Sequence, residues 1–186
     1  MGKYQHGKQK RPIDYEVFAN IMEKGYFAKP KTHKSFLAFL YYTGVRVSEA
    51  LELTKENFTI TDSALIVEVP AKKRGIERGP FELSRNLPYV ELIIEQVRKT
   101  RRSKSNPKGK VWNISRTTAW RIVKRVMPKH YPHFFRLNRC VHFLSTPGIS
   151  LEEVRNWFAW RRMETLNEYL GIVSIQKLSK KLEKSI

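Results

Sequence analysis

The 186-residue chain has a single cysteine, Cys140, so no internal disulfide framework can exist and a reducing, cytoplasmic compartment is the expectation. No apolar run approaches the ~20 residues that span a bilayer, and the opening residues do not read as a signal peptide. Acidic residues are scarce. Seventeen Asp and Glu face 36 Lys and Arg, giving a formal net charge of +19 and a pI of about 10.2. A Lys-rich surface suited to high temperature comes with matching Glu, which is missing here. The excess points to a polyanionic partner, nucleic acid before anionic membrane. The chain also lacks a glycine-rich phosphate loop and a carboxylate cluster for magnesium, so no motif calls for a nucleotide or metal cofactor.

The apolar content is sufficient for a core, at 41% with 12% aromatic, and the length fits one domain. Residues 1–11, "MGKYQHGKQKR", read as a flexible basic arm. Asp14 reads as an N-cap, and Gly25 as the end of the helix it opens. A second helix is expected over 32–42, with Gly44 tolerating positive φ at its end, and a third over 47–54. "FTI", "ALIVEVP" and "PFELS" favour strands, and the basic turn "AKKRGIERG" separates the last two. Helical spacing returns at 88–98, 115–127, 134–145, 150–159 and 164–171, with a Lys-rich amphipathic tail at 174–184. The expected fold is α+β, mainly α, with a small antiparallel sheet of two to three strands.

The stretch "FLYYTGVRVSEALELT" sets Arg46 between Val45 and Val47, directly after Thr43-Gly44. A cation there needs an anion. Glu49, three residues on, is within reach on a helix. Either the pair is structural, or Glu49 orients a guanidinium fork toward a bound phosphate. In "YPHFFRLNRC", His133 and Arg136 project from adjacent turns near a helix start, a place that favours anions. The plainer reading is a solvated basic face. His130, His133, Cys140 and His142 do not form a convincing zinc set, because Pro132 interrupts the first pair and i, i+2 residues diverge on a helix. Tyr169 shares a helical stripe with Leu166, Leu170 and Val173, which alone suggests the edge of a core.

Taken in order, these segments resemble the tyrosine recombinases, the phage-type integrases and their chromosome-resolving relatives. "TGVRVSEAL" resembles the first-arginine box, and "HFFR" the His-x-x-Arg box. "VRNWFAWRRMETLNEYL" resembles the closing segment, in which a His or Trp follows a Leu-Gly-like pair and the tyrosine comes nine residues later, as Trp160 precedes Tyr169. "VEVPAKKRGIERGPFEL" occupies the place of the family's lysine hairpin. The resemblance covers residues 12–172, leaving 173–186 as a tail helix of the kind exchanged between protomers; packing within its own chain is the alternative. Leu137 stands where a His is common, and no stretch resembles the family's amino-terminal DNA-clamping domain. The short basic arm is expected to serve instead, unless the chain is a catalytic fragment.

The resemblance implies a helical catalytic domain that cleaves and rejoins double-stranded DNA through a 3′-phosphotyrosyl ester, without cofactor or metal. The implied catalytic set is Arg46, Lys73, His133, Arg136, Trp160 and Tyr169, supported by Glu49, with Lys72 the alternative to Lys73. It implies a homo-tetramer on DNA, monomeric in free solution, and no membrane. The acidic-poor surface is in keeping with an archaeal or viral source. Two other readings stay open: a non-catalytic DNA-binding module of the same fold, and type IB topoisomerase-like relaxation.

Overall fold

The computed structural model describes residues 12–70, 79–164, 166–167 and 169–171. The arm 1–11, the hairpin tip carrying Lys72 and Lys73, and the tail 174–184 lie outside the described residues. Helix α1 (Tyr15–Lys24) opens where the Asp14 carboxylate accepts the Val17 N–H, with Glu16 in its first turn and Lys24 in its last. Gly25 closes it by close approach rather than by left-handed backbone. Its φ is −68°, but a Cβ there would lie 2.5 Å from the Ile21 carbonyl oxygen.

Helix α2 (Pro30–Thr43) is the centre of the domain. Every residue from Ser35 to Thr43 is buried, the pattern of a helix enclosed on all sides. It packs against α4 (Val90–Lys99) and α6 (His133–Ser145). Gly44 ends it with φ +61°, its N–H donating to the Leu40 carbonyl. The fully buried Trp112 fills the space beside it, in contact with Phe36, Phe39 and Phe58, and donates its indole N–H to Ser35 Oγ at 3.1 Å.

Helix α3 spans Val47–Ala50, shorter than its apolar spacing predicts. The chain turns early for two reasons. The Leu53 carbonyl accepts the Val111 N–H, and Asn57 Oδ1 accepts the Thr54 N–H. Strands β1 (Phe58–Ile60), β2 (Ala64–Val67) and β3 (Phe81–Ser84) follow in spatial order, all antiparallel, with Phe58 opposite Val67 and Val67 opposite Phe81. Phe81 and Leu83 face inward while Glu82 and Ser84 face out. The remaining elements are α5 (Arg116–Val126) and α7 (Leu151–Trp157), each opened by a serine cap, Ser115 and Ser150. The expected mainly helical fold with a small three-stranded sheet is what the structure has. Among the described residues no helix is long and apolar enough to cross a membrane.

Beside the main core lies a smaller apolar cluster of Cys140, Val154, Phe158, Trp160, Leu166 and Tyr169. It joins α6, α7 and the helical turns after residue 163, and it holds two of the candidate site residues, Trp160 and Tyr169.

Candidate active site

The exit of α2 delivers Arg46. Gly44 turns the chain through the left-handed region, Val45 is buried, and Arg46 becomes the N-cap of α3. Glu49 holds it twice: Oε2 accepts the Arg46 backbone N–H at 3.0 Å, and Oε1 accepts from Nη1 at 2.8 Å. The Glu49 side chain is fully buried, while that of Arg46 is 33% exposed. The fork is thus held at Nη1 by a buried carboxylate while a third of the side chain stays exposed.

Arg136 comes from the first turns of α6 and is only 2% exposed. Nη1 donates to the Gly44 carbonyl at 3.2 Å, and Nη2 to the Phe158 carbonyl at 2.8 Å. The guanidinium lies over two rings, 4.6 Å from the Phe158 centroid and 5.1 Å from that of Trp160. The Gly44 bond ties Arg136 to the turn two residues before Arg46.

From Phe158 a column of rings runs outward. Phe158 and Trp160 stack at 4.7 Å, and Trp160 and Tyr169 at 5.2 Å. Ala159, between the first two, has φ +49°, and this left-handed step turns Trp160 onto Phe158. Trp157 fixes the segment from the other side. Its indole N–H donates to the Thr43 carbonyl at 2.8 Å, and its ring meets Phe81 at 4.6 Å. Strand β3 is therefore anchored against α7.

The structure brings Arg46 and Glu49 into one pair, and Arg136, Trp160 and Tyr169 into one cluster, with Gly44 linking the two groups. His133 is exposed at the first residue of α6, one turn before Arg136. Lys72 and Lys73 lie outside the described residues. Cys140 sits in the same cluster, where burial pushes its thiol up to about 12, partly opposed by Arg136, so it stays protonated at neutral pH. Phe158, Ala159 and Trp157 position the site, although sequence spacing alone did not single them out. The signal for the first two was available: Phe158-Ala159 fills the slot of the Leu-Gly-like pair.

The phage integrase family model matches residues 11–173, most of the chain. The chain belongs to the phage integrase family. No protein among curated sequences matches it. Solved structures of tyrosine recombinases share its fold. One is the XerH site-specific recombinase bound to palindromic difH substrate in a post-cleavage complex, with TM-score 0.71 at 17% identity over 90% of this chain and 50% of that one. A second is the XerA recombinase, with TM-score 0.65 at 16% identity, covering 90% and 60%. A third is the Tn1549 transposon integrase in complex with circular intermediate DNA, with TM-score 0.61 at 14% identity, covering 88% and 63%. This integrase-family chain spans between half and just under two thirds of these solved recombinase chains, the Tn1549 one being residues 82–397 of its integrase.

Proposed function

We propose that this integrase-family domain is a site-specific recombinase that cleaves and rejoins double-stranded DNA through Tyr169. The observation that carries the reading is the contact of Arg136 with Trp160, and of Trp160 with Tyr169, in a cluster bonded through Gly44 to the turn that presents Arg46. Arg46 and Arg136 clamp the non-bridging oxygens of one phosphodiester, where charge gathers in the transition state. Losing one such donor costs on the order of 3–4 kcal/mol of barrier. Trp160 adds an indole N–H and His133 an imidazole.

The Tyr169 oxygen attacks phosphorus, forming the O–P bond of a 3′-phosphotyrosyl ester as the bond to the 5′-oxygen breaks. Its phenolic proton passes to His133, and the leaving 5′-oxygen takes a proton from Lys73, with Lys72 the alternative. Anchorage of β3 against α7 supports a hairpin that works next to this site. The ester conserves the bond energy, so a 5′-hydroxyl of a second strand reverses the step and no nucleotide is consumed. Tyr169 is 8% exposed and stacked on Trp160, so in this reading its ring leaves the stack to reach a duplex. The DNA-bound XerH and Tn1549 relatives support duplex DNA as the partner. Assembly is proposed as a tetramer on two duplexes, with residues 173–186 crossing between protomers and the chain monomeric when free.

The test is a nicked duplex that traps the covalent product, resolved by denaturing electrophoresis over a library of target sequences. Wild type should form a covalent band on a subset of duplexes, and Tyr169→Phe should form none while still binding DNA. Binding without any adduct would leave a non-catalytic DNA-binding module. Relaxation of supercoils without sequence preference would make the chain topoisomerase-like.

A further inference from the structure

Helix α6 carries another arginine, Arg139, one turn beyond Arg136, and the reaction proposed above does not use it. Its Nε and Nη2 donate to one oxygen, the Tyr41 carbonyl, at 3.0 and 2.8 Å. Its guanidinium carbon lies 5.3 Å from the Tyr41 ring, 5.8 Å from Tyr42 and 5.5 Å from Phe143. Among the described residues no carboxylate pairs with it. A half-buried cation set among rings without a counter-ion carries a desolvation cost that an aliphatic side chain in the same space would not.

What the guanidinium gains is a grip on the end of α2. Tyr41 lies in the last turn of that helix, where carbonyls lack intrahelical partners and the helix dipole favours a cation. The following carbonyls are held in the same way, Thr43 by the Trp157 indole and Gly44 by Arg136. Arg139 also packs its stem against the turn: a Cβ on Gly44 would lie 2.9 Å from the Arg139 Cβ. Positions i and i+3 share one face of α6, so Arg136 and Arg139 grip two points of a single exit, just before Arg46.

We infer that Arg139 is a positioning residue that locks the exit of α2 to α6 and so sets where Arg46 stands relative to Arg136. This rests on the reading that both of those arginines bind the scissile phosphate. The proposed clamp works only if the two forks are held in register, and a displacement of about 1 Å is enough to cost on the order of 100-fold in rate.

The experiment compares Arg139→Leu and Arg139→Lys with wild type on the trapping duplex, measuring single-turnover adduct formation and DNA affinity separately. Arg139→Leu should slow adduct formation about 10- to 100-fold with affinity within about twofold. Arg139→Lys keeps the charge but cannot set two donors on one carbonyl, so it should fail to restore the rate. In an Arg46→Ala background, the Arg139 substitutions should cost nothing further, since they act through Arg46. Should Arg139→Leu not fold, Arg139→Lys carries the same cycle.

Cleavage by the Arg139 variants at the wild-type rate would overturn the inference. So would losses that multiply with Arg46→Ala, while leaving the catalytic reading intact. An absence of adduct from wild type itself would overturn that reading, and the inference with it.

Discussion

The ring of Tyr169 lies against the indole of Trp160, with centroids 5.2 Å apart and planes 24° from parallel. Trp160 in turn stacks on Phe158, and both rings lie beneath the Arg136 guanidinium. One residue thus serves two ends: in the proposed reaction its indole N–H donates to the phosphate, while its faces pack against the Tyr169 ring and a buried cation.

These roles separate on substitution. Trp160→His keeps an N–H donor and loses most of the stacked area. Adduct formation should persist within about tenfold, while stability falls by about 1–3 kcal/mol, less than the ~3–5 kcal/mol of a full aromatic truncation. Thermal unfolding and the trapping assay on the same preparation check both halves. A variant as stable as wild type would deny the column any part in the packing.

Arg46 and Glu49 make an asymmetric pair, one fully buried carboxylate against an arginine side chain that is 33% exposed. Removing the Arg46 side chain takes the guanidinium from the buried carboxylate, which keeps its bond from the backbone N–H of residue 46. Breaking a buried pair from one side costs ~3–5 kcal/mol, and the partial exposure of Arg46 places this case below that range. Arg46→Ala should therefore lose both stability and cleavage. Adding Glu49→Gln should recover much of the stability and none of the cleavage. Denaturant midpoints and adduct yields for the single and double variants test this, and recovery of activity in the double variant would contradict it.

Ala159 sits in left-handed backbone at φ +49°, where an L-residue pays ~1–2 kcal/mol and glycine does not. Glycine returns part of that gain through the greater freedom of its unfolded chain. The net expectation for Ala159→Gly is a stabilisation of up to about 1 kcal/mol with adduct formation retained, read as a higher unfolding midpoint. A lower midpoint would mean that the methyl packs in a way that outweighs the strain.

The legible parts of the sequence were those with local causes. Asp14 capped its helix, the strand residues "FTI" and "FELS" paired, and Gly44 took the positive φ that its place after Thr43 suggested. The third helix was over-read because Val47, Ala50, Leu51 and Thr54 carry helical spacing. What stops it is a long-range bond, the Val111 N–H on the Leu53 carbonyl, together with the Asn57 Oδ1 bond to the Thr54 N–H. The candidate site was legible as motifs in order, but its supports were not. The bonds from Arg136, Arg139 and Trp157 to the carbonyls of residues 41–44 cross more than 90 positions, and backbone acceptors leave no mark in a sequence.

Two glycines with positive φ separate backbone strain from site geometry. Gly44 and Gly148 have φ of +61° and +85°, so alanine at either meets similar left-handed strain, on the order of 1–2 kcal/mol. Around Gly148 nothing among the described residues lies within 4 Å of an added Cβ. At Gly44 the same atom would sit 2.9 Å from both the Arg139 Cβ and the Phe158 ring, and neither neighbour is the far end of a flexible chain. Relief has to come from moving the turn, which carries the carbonyl held by Arg136 and leads into Arg46. Gly148→Ala should therefore lower the unfolding midpoint while leaving adduct formation near wild type. Gly44→Ala should lose more stability and slow adduct formation by at least tenfold at unchanged DNA affinity. If both variants cleave equally well, the α2 exit tolerates displacement, and the register between the two arginines is not what limits the chemistry.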